Sequence, residues 1–351
     1  IMAPTQTSES AANVKVDTAA IRAREQVTAR RALFAGSGEP LALVGAMVVL
    51  ILIFSILNPR FATIENLQNI LNQASLPLII GLGATLVILI GSIDLSVEGV
   101  MGAAGVAFVL LSANSRGGQD MGIWAWILPL ALAATLGATS GLIYTMLRVP
   151  SFIVTLGMWF VGFGIATILY GTDAYPELTD DTVTLWAAKI NFGLPNVFWV
   201  AAIFTVIVAL VIRYTRFGRV ALAIGNNEEI ARSNGMPIIK NKIFIFIVAG
   251  LFSGLAGILA TMQMGGTSNH IGDGYLFITI PAVVIGGTSL GGGKGGVFRT
   301  AIGVLLLTIL NNGLVLAGVS PSYQSAVSGA ILVVAIVAAA WPQRGRLRIA
   351  K

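Results

Sequence analysis

The chain of 351 residues contains no cysteine and a single histidine, His270. Without cysteine it forms neither a disulfide nor a thiolate metal site. With one histidine, no zinc cluster and no histidine-based triad can be assembled within the chain, which removes most hydrolase chemistries. Charge is scarce as well. Asp, Glu, Lys and Arg make up 10% of the residues, where soluble domains carry about 25%. Hydrophobic residues make up 56%, and the mean hydropathy is +0.87. That balance predicts an all-α, polytopic integral membrane protein. The 41 glycines fit the same class, because small residues let membrane helices approach closely. The net charge of +6 does not argue for nucleic acid, since the basic residues fall where loops are expected. No nucleic-acid partner and no cofactor is expected.

Residues 1–40 are polar and read as a cytoplasmic N-terminal tail. Within it, 16–34 is rich in alanine and arginine (Arg22, Arg24, Arg30, Arg31), as a basic helix on an anionic inner leaflet or as a disordered solubilising tail. No small-residue cleavage site follows the first apolar run, so a signal peptide is not expected. Ten apolar segments follow, near 41–57, 76–92, 96–112, 124–147, 150–170, 196–212, 243–264, 277–290, 298–316 and 321–341. They define a transmembrane domain over 41–341, followed by a basic cytoplasmic tail at 342–351. Several fall short of the ~20 residues that span a bilayer. The third and eighth are the candidates for broken or re-entrant segments. With both termini inside, 18 of the 21 basic residues fall in cytoplasmic segments, leaving Arg60, Arg116 and Lys189 outside. The external segments instead collect Asp120, Asp173, Glu177, Asp180 and Asp181. The largest of them, 171–195, is either a docking surface for a soluble partner or a lid over a pore. Gly137 with Gly141, and Gly250 with Gly254, mark candidate helix-packing faces.

The stretch 213–242 separates two long apolar runs and carries six basic residues, Arg213, Arg216, Arg219, Arg232, Lys240 and Lys242, against Glu228 and Glu229. Each ionised side chain at mid-bilayer costs roughly 2.5 to 3.5 kcal/mol on insertion scales, so the stretch lies in water, on the cytoplasmic side. Its middle, 225–236, reads as a short helix. Asn226 or Asn227 caps it, Glu228 and Glu229 occupy the first turn, and Gly235 with Pro237 ends it. Such a helix is either a place for a partner protein to push or an ordinary solvated loop.

In SIDLSVEG, residues 92–99, Asp94 and Glu98 are carboxylates placed between two apolar segments with almost no polar linker. One role is capping: Asp94 or Ser96 accepts from the open amides of the third span, with Glu98 in its first turn. The other is contact with a polar solute or a gate. The run IGGTSLGGGKGG at 285–296 invites a phosphate-loop reading and fails it. Lys294 is followed by Gly295 instead of Ser or Thr, and Thr288 stands where the first glycine is needed. It reads as a tight turn between two spans. Asn311 and Asn312 interrupt the ninth segment, Asn72 and Gln73 precede the second, and Trp159, Phe160 and Phe163 lie on the fifth. Amides and aromatic faces suit a polyhydroxylated solute, and they equally serve helix–helix hydrogen bonding and lipid contact.

Taken together, LVILIGSIDLSVEGVMGAAG, PSFIVTLGM, GNNEEIARSNGM, AVVIGGTSLGGGKGG and NNGLVLAGVSPSYQ resemble the permease subunits of bacterial ABC importers for ribose, galactose, xylose and related monosaccharides. The matches run in family order from about residue 59 to 324. The resemblance implies a non-catalytic subunit in which 225–236 is the coupling helix that docks on a separate ABC ATPase subunit. It also implies a second permease chain, identical or not, and an extracytoplasmic sugar-binding protein, in a bacterial inner membrane. Two departures stand out. The family pattern G-I-D-L-S-V-G has glycine where this chain has Glu98. The family also often reads G-Y-E-L-D-A-I where this chain has Leu276, Phe277 and Ile278 after Gly274 and Tyr275. These departures widen the expected solute from the common monosaccharides to a less usual sugar or polyol. The candidate substrate path is Asn72, Gln73, Asp94, Ser96, Phe152, Thr155, Trp159, Phe160, Asn311 and Asn312. The candidate coupling residues are Gly225, Asn226, Asn227, Glu228, Glu229, Ala231, Arg232 and Gly235. Rival readings are a branched-chain amino-acid permease of similar architecture, a secondary carrier driven by a proton or sodium ion through Asp94 and Glu98, and a membrane enzyme, which lacks any nucleophile–base pair.

Overall fold

A computed structural model describes residues 38–320 and the isolated positions 323, 326, 329 and 330. The chain's contacts divide it after Ala42, and the elements below lie in the unit that begins at Leu43, apart from the first residues of α1. In order, the elements are α1 (Gly38–Leu57), a 3-10 turn (Pro59–Ala62), α2 (Ile64–Leu89), α3 (Val97–Leu111), α4 (Trp124–Met146) and α5 (Ser151–Tyr170). A short helix α6 (Asp181–Ala188) and a two-stranded hairpin, β1 (Ile190–Asn191) and β2 (Leu194–Pro195), come next. The chain continues through α7 (Asn196–Tyr214), α8 (Arg216–Asn226), α9 (Glu228–Ser233), α10 (Ile238–Met264), α11 (Tyr275–Ile285) and α12 (Val297–Leu316). Six of the described helices, α2, α4, α5, α7, α10 and α12, are long and apolar enough to cross a membrane.

α2 and α10 are the two most enclosed of these and pack against each other at the centre. They run antiparallel: Asn72, near the start of α2, accepts from Gln263, near the end of α10, at 2.8 Å. Around them the order long, short, long repeats. α2, α3 and α4 have 26, 15 and 23 residues, and α10, α11 and α12 have 27, 11 and 20. The packing repeats too. α10 lies on α4 and α3, while α2 lies on α12 and α11. Two halves built in the same order around antiparallel central helices are an inverted repeat.

Glycine sets the spacing of the tightest pair, α4 and α10. A Cβ on Gly137 would meet Phe246 O, and one on Gly250 would meet Ala133 O. One on Gly141 would stand 2.9 Å from Ile243 Cα. The expected small-residue faces thus pack against each other, backbone against backbone.

α3 and α11 are apolar but shorter than the six, and each follows a non-helical leg. Residues 90–96, a turn followed by an irregular stretch, form a leg ahead of α3, and residues 266–274 form a turn-rich leg ahead of α11. The third apolar segment is thus a single short helix, and the eighth is helical to Ile285, where the glycine-rich turn begins. The second segment differs: Thr63 caps α2 by accepting from Asn66 N at 3.2 Å. That start adds three turns ahead of residue 76 and places Asn72 and Gln73 inside the helix. The stretch 225–236 is also not one helix. α8 runs to Asn226, and Asn227 breaks it and caps α9, accepting from Ile230 N at 3.0 Å. Gly225 belongs to α8, and Gly235 takes a φ of +72° after α9. Segment 321–341 and the tails 1–37 and 342–351 lie outside the described stretch.

Candidate functional site

One end of the bundle gathers the segments around 112–123, 171–195 and 265–267. Isolated β-bridges join Asn114 to Leu178 and Glu177 to Gly266. Arg116 caps this end internally, donating to the carbonyl oxygens of Tyr170 and Ala174, each at 2.6 Å, and of Asp173 at 3.1 Å.

At the opposite end the last turn of α2, the end of α8 and the glycine-rich loop between α11 and α12 converge. Gly293 N donates to Leu89 O at 2.9 Å, and Asn226 Nδ2 donates to Gly293 O at 3.4 Å. A Cβ on Gly225 would collide with Leu89 O and Gly293 N, so the close approach of three backbones requires glycine there. Gly287, Gly292, Gly293 and Gly295 all take positive φ, as a tight turn demands.

From this junction a polar chain enters the bundle. Glu228 of α9 pairs with Arg232 at 2.8 Å and with Lys242 of α10 at 2.7 Å. Lys242 is buried, donates to Tyr144 Oη of α4 at 2.9 Å and lies over that ring. Tyr144 Oη in turn accepts from Ser92 Oγ at 2.9 Å, at the start of the α3 leg. Burial alone would raise the Glu228 carboxyl. The hydrogen bond and charge of Lys242, followed by those of Arg232, outweigh it and hold the group below the usual carboxylate range. Glu229, Ala231, Asn226 and Asn227 lie on the same two helices; Ala231 is buried and Glu229 is exposed.

The α3 leg is held by α5. Thr155 accepts from Leu95 N at 3.0 Å, and Ser151 Oγ accepts from Ile93 N at 3.1 Å. Asp94 is buried and accepts from Ser96 N at 2.9 Å and Ser96 Oγ at 2.6 Å. It therefore shapes the turn into α3, while Ser96 makes no side-chain cap bond. Glu98 reaches across to the other half. Its Oε1 accepts from Gly274 N and Leu276 N, both at 3.0 Å, at the start of α11. The N-termini of α3 and α11 thus face each other with one carboxylate between them, which satisfies two open amides and favours both helix dipoles.

The ten candidate path residues do not form one cluster. Asp94, Ser96 and Thr155 stand together and are buried. Trp159 and Phe160 share α5 at a ring distance of 4.8 Å, with Phe160 and Phe152 exposed. Asn72 pairs with Gln263, Gln73 is exposed, and Asn312 is buried, accepting from Asn66 at 3.0 Å. Asn311 is half-buried. A cavity of about 300 Å³ between α7 and the start of α12, lined by Val206, Leu210, Arg213, Tyr214 and Phe298, contains none of the ten.

Two residues outside the candidate path and coupling sets also meet. His270 and Asp273, on the leg ahead of α11, pair at 2.8 Å, and the His270 ring lies 5.2 Å from Phe163 of α5. Their signal in the sequence was the polar stretch TSNHIGD next to an apolar segment too short to span. Among the described residues no three His, Cys, Asp or Glu side chains gather closely enough to hold a metal ion.

Residues 66–336 match the family model described as branched-chain amino acid transport system / permease component. The ribose import permease protein RbsC of Escherichia coli (strain K12) is 38% identical over 83% of this chain and 91% of its own. RbsC of Bacillus subtilis (strain 168) is 36% identical over 89% and 96%. The D-allose transport system permease protein AlsC of Escherichia coli (strain K12) is 32% identical over 83% and 88%. The chain belongs to this permease family, on the branch of the bacterial ribose, allose and galactose ABC permeases of the inner membrane.

Proposed function

We propose that this chain is the transmembrane permease subunit of an ABC importer that carries a monosaccharide or similar polyol. An extracytoplasmic binding protein delivers the solute, and a separate ATPase subunit drives the cycle. The observation that carries the reading is the similarity to named sugar permeases over more than four fifths of the chain. The family model's name favours a second reading, a branched-chain amino acid as solute. Ten spans with both termini cytoplasmic account for the basic residues, and put 225–236 inside and 171–195 outside. On this reading α8 and α9 are the coupling helices, and the Glu228–Lys242–Tyr144–Ser92 chain links them to the α3 leg. The path runs between this chain and a second permease chain, lined by the exposed candidates Gln73, Phe152 and Phe160 with Asn72, Trp159 and Asn311. Asp94, Ser96, Thr155 and Asn312 support it from behind.

The test is uptake into proteoliposomes holding the permease, its ATPase and its binding protein, with radiolabelled D-ribose, D-allose, D-galactose and L-leucine. ATP-dependent uptake of one of the sugars, with leucine excluded, is the expected result. Leucine uptake alone would establish the second reading. Uptake that collapses with an ion gradient at constant ATP would establish an ion-coupled carrier. That third outcome has little support from the geometry, because Asp94 and Glu98 are both engaged with groups of the protein itself.

A further inference from the structure

His270 and Asp273 lie deep along the bundle without being buried. α5 serves as a ruler: its 20 residues make a rod about 30 Å long, the thickness of a hydrocarbon core. Phe163, against which His270 stacks, is about 10 Å short of the Tyr170 end of that rod. Gly99 touches the backbone of Trp159, about 16 Å short of it, so Glu98 is close to mid-depth. Glu98 holds Gly274, and Asp273 is the residue before it. Yet the side chains of His270 and Asp273 are 59% and 56% exposed. Ionisable groups exposed at such depth face a bundle interior or a water-filled path, not lipid.

The leg is also built to present them. A Cβ on Gly272 would collide with Glu98 O, which brings the leg against α3, and Gly274 turns it into α11 with a φ of +88°. Asn269 Nδ2 donates to Thr167 Oγ1 of α5 at 3.3 Å. Among the described residues, His270 Nε2 and Asp273 Oδ1 have no hydrogen-bond partner, which leaves a donor or acceptor position open on each. Phe160, one turn before Phe163 on α5, is 62% exposed, and Phe277, in the first turn of α11, is 74% exposed.

We infer that Asn269, His270 and Asp273, with Phe163 and Phe160, form a solute-contact site at mid-membrane depth, taking a neutral polyhydroxylated ligand. This rests on the reading of the chain as a sugar permease. The carboxylate and imidazole bond hydroxyl groups, and the phenyl rings cover the apolar C–H face of the sugar.

The absence of cysteine makes the first test direct. His270→Cys, Asp273→Cys and Ile203→Cys, the last on the exposed face of α7, are reconstituted with the ATPase subunit and treated with a membrane-impermeant thiosulfonate. The first two should react at least tenfold faster than the third; equal rates would overturn the site. In the uptake assay, Asp273→Asn and His270→Gln should lower the rate for the transported sugar at least tenfold, with ATPase co-purification unchanged. Normal uptake in both variants overturns the site and leaves the sugar-permease reading standing. If the unaltered complex carries none of D-ribose, D-allose and D-galactose, the parent reading fails and the sugar site falls with it, while the thiosulfonate rates still report whether a path is there.

Discussion

Glu98 shows at the scale of single residues how one side chain can have two readings. A glutamate in the first turn of a helix is ordinarily a local dipole partner, and the sequence offers no sign that its carboxylate crosses to another span. The structure spends it on Gly274 N and Leu276 N. Glu98→Leu leaves both part-buried amides without this acceptor, at up to about 1 kcal/mol each. Glu98→Gln keeps an amide oxygen in place. We expect the leucine variant to lose clearly more thermal stability in nanodiscs than the glutamine variant, and equal losses would refute the bond's role. Asp94 follows the same logic. Asn preserves an acceptor for Ser96, so Asp94→Asn should retain much of the transport, while Asp94→Leu should lose it. Equal and complete loss in both, at normal expression, would point instead to a required negative charge.

α8 and α9 are where local rules were legible. Asn227 as cap, the two acidic residues of the first turn and Gly235 as stop all follow from sequence, and the structure has them. What the sequence hid was that the same stretch holds two helices, because the break at Asn227 is made by the cap itself and Gly225 serves packing. Gly235→Val forces a β-branched residue to a φ of +72°, a strain of roughly 1–2 kcal/mol. It should weaken ATPase co-purification while leaving the permease in the membrane. Glu228 adds a pH dependence. Its folded value is depressed, so its contribution is full above the ordinary glutamate value and is lost as pH falls through the folded one. A nitroxide on Ser233→Cys should gain mobility as the pH drops below about 4. Glu228→Gln should remove that transition, and an identical titration in the variant would show that another group is responsible.

For the whole molecule, composition alone indicated helices in a membrane, and the pattern of basic residues indicated a topology. A reporter in 171–195 should be labelled from outside intact cells and one in 225–236 should not; the reverse would overturn the ten-span arrangement. The inverted repeat was not legible, because its two halves share the order and packing of their helices rather than an evident motif. The depth of His270 and Asp273 was hidden for a related reason, since a leg that re-enters the bundle has the composition of a loop. Packing between the halves depends on Gly137 and Gly250, so Gly250→Leu, driven into Ala133 O, should destabilise the fold more than any other substitution considered.

The backbone junction of Leu89, Gly225 and Gly293 has a mechanical consequence. Leu89 ends the central helix of one half, and Gly293 lies just before α12 of the other, with Asn226 of α8 hydrogen-bonded to Gly293 O. A displacement imposed on α8 is therefore delivered to both halves at once, as a single crank drives two arms. Motion of the halves should be synchronous, so that distances from a probe on α8 to the ends of α2 and α12 stay fixed while distances across the bundle change.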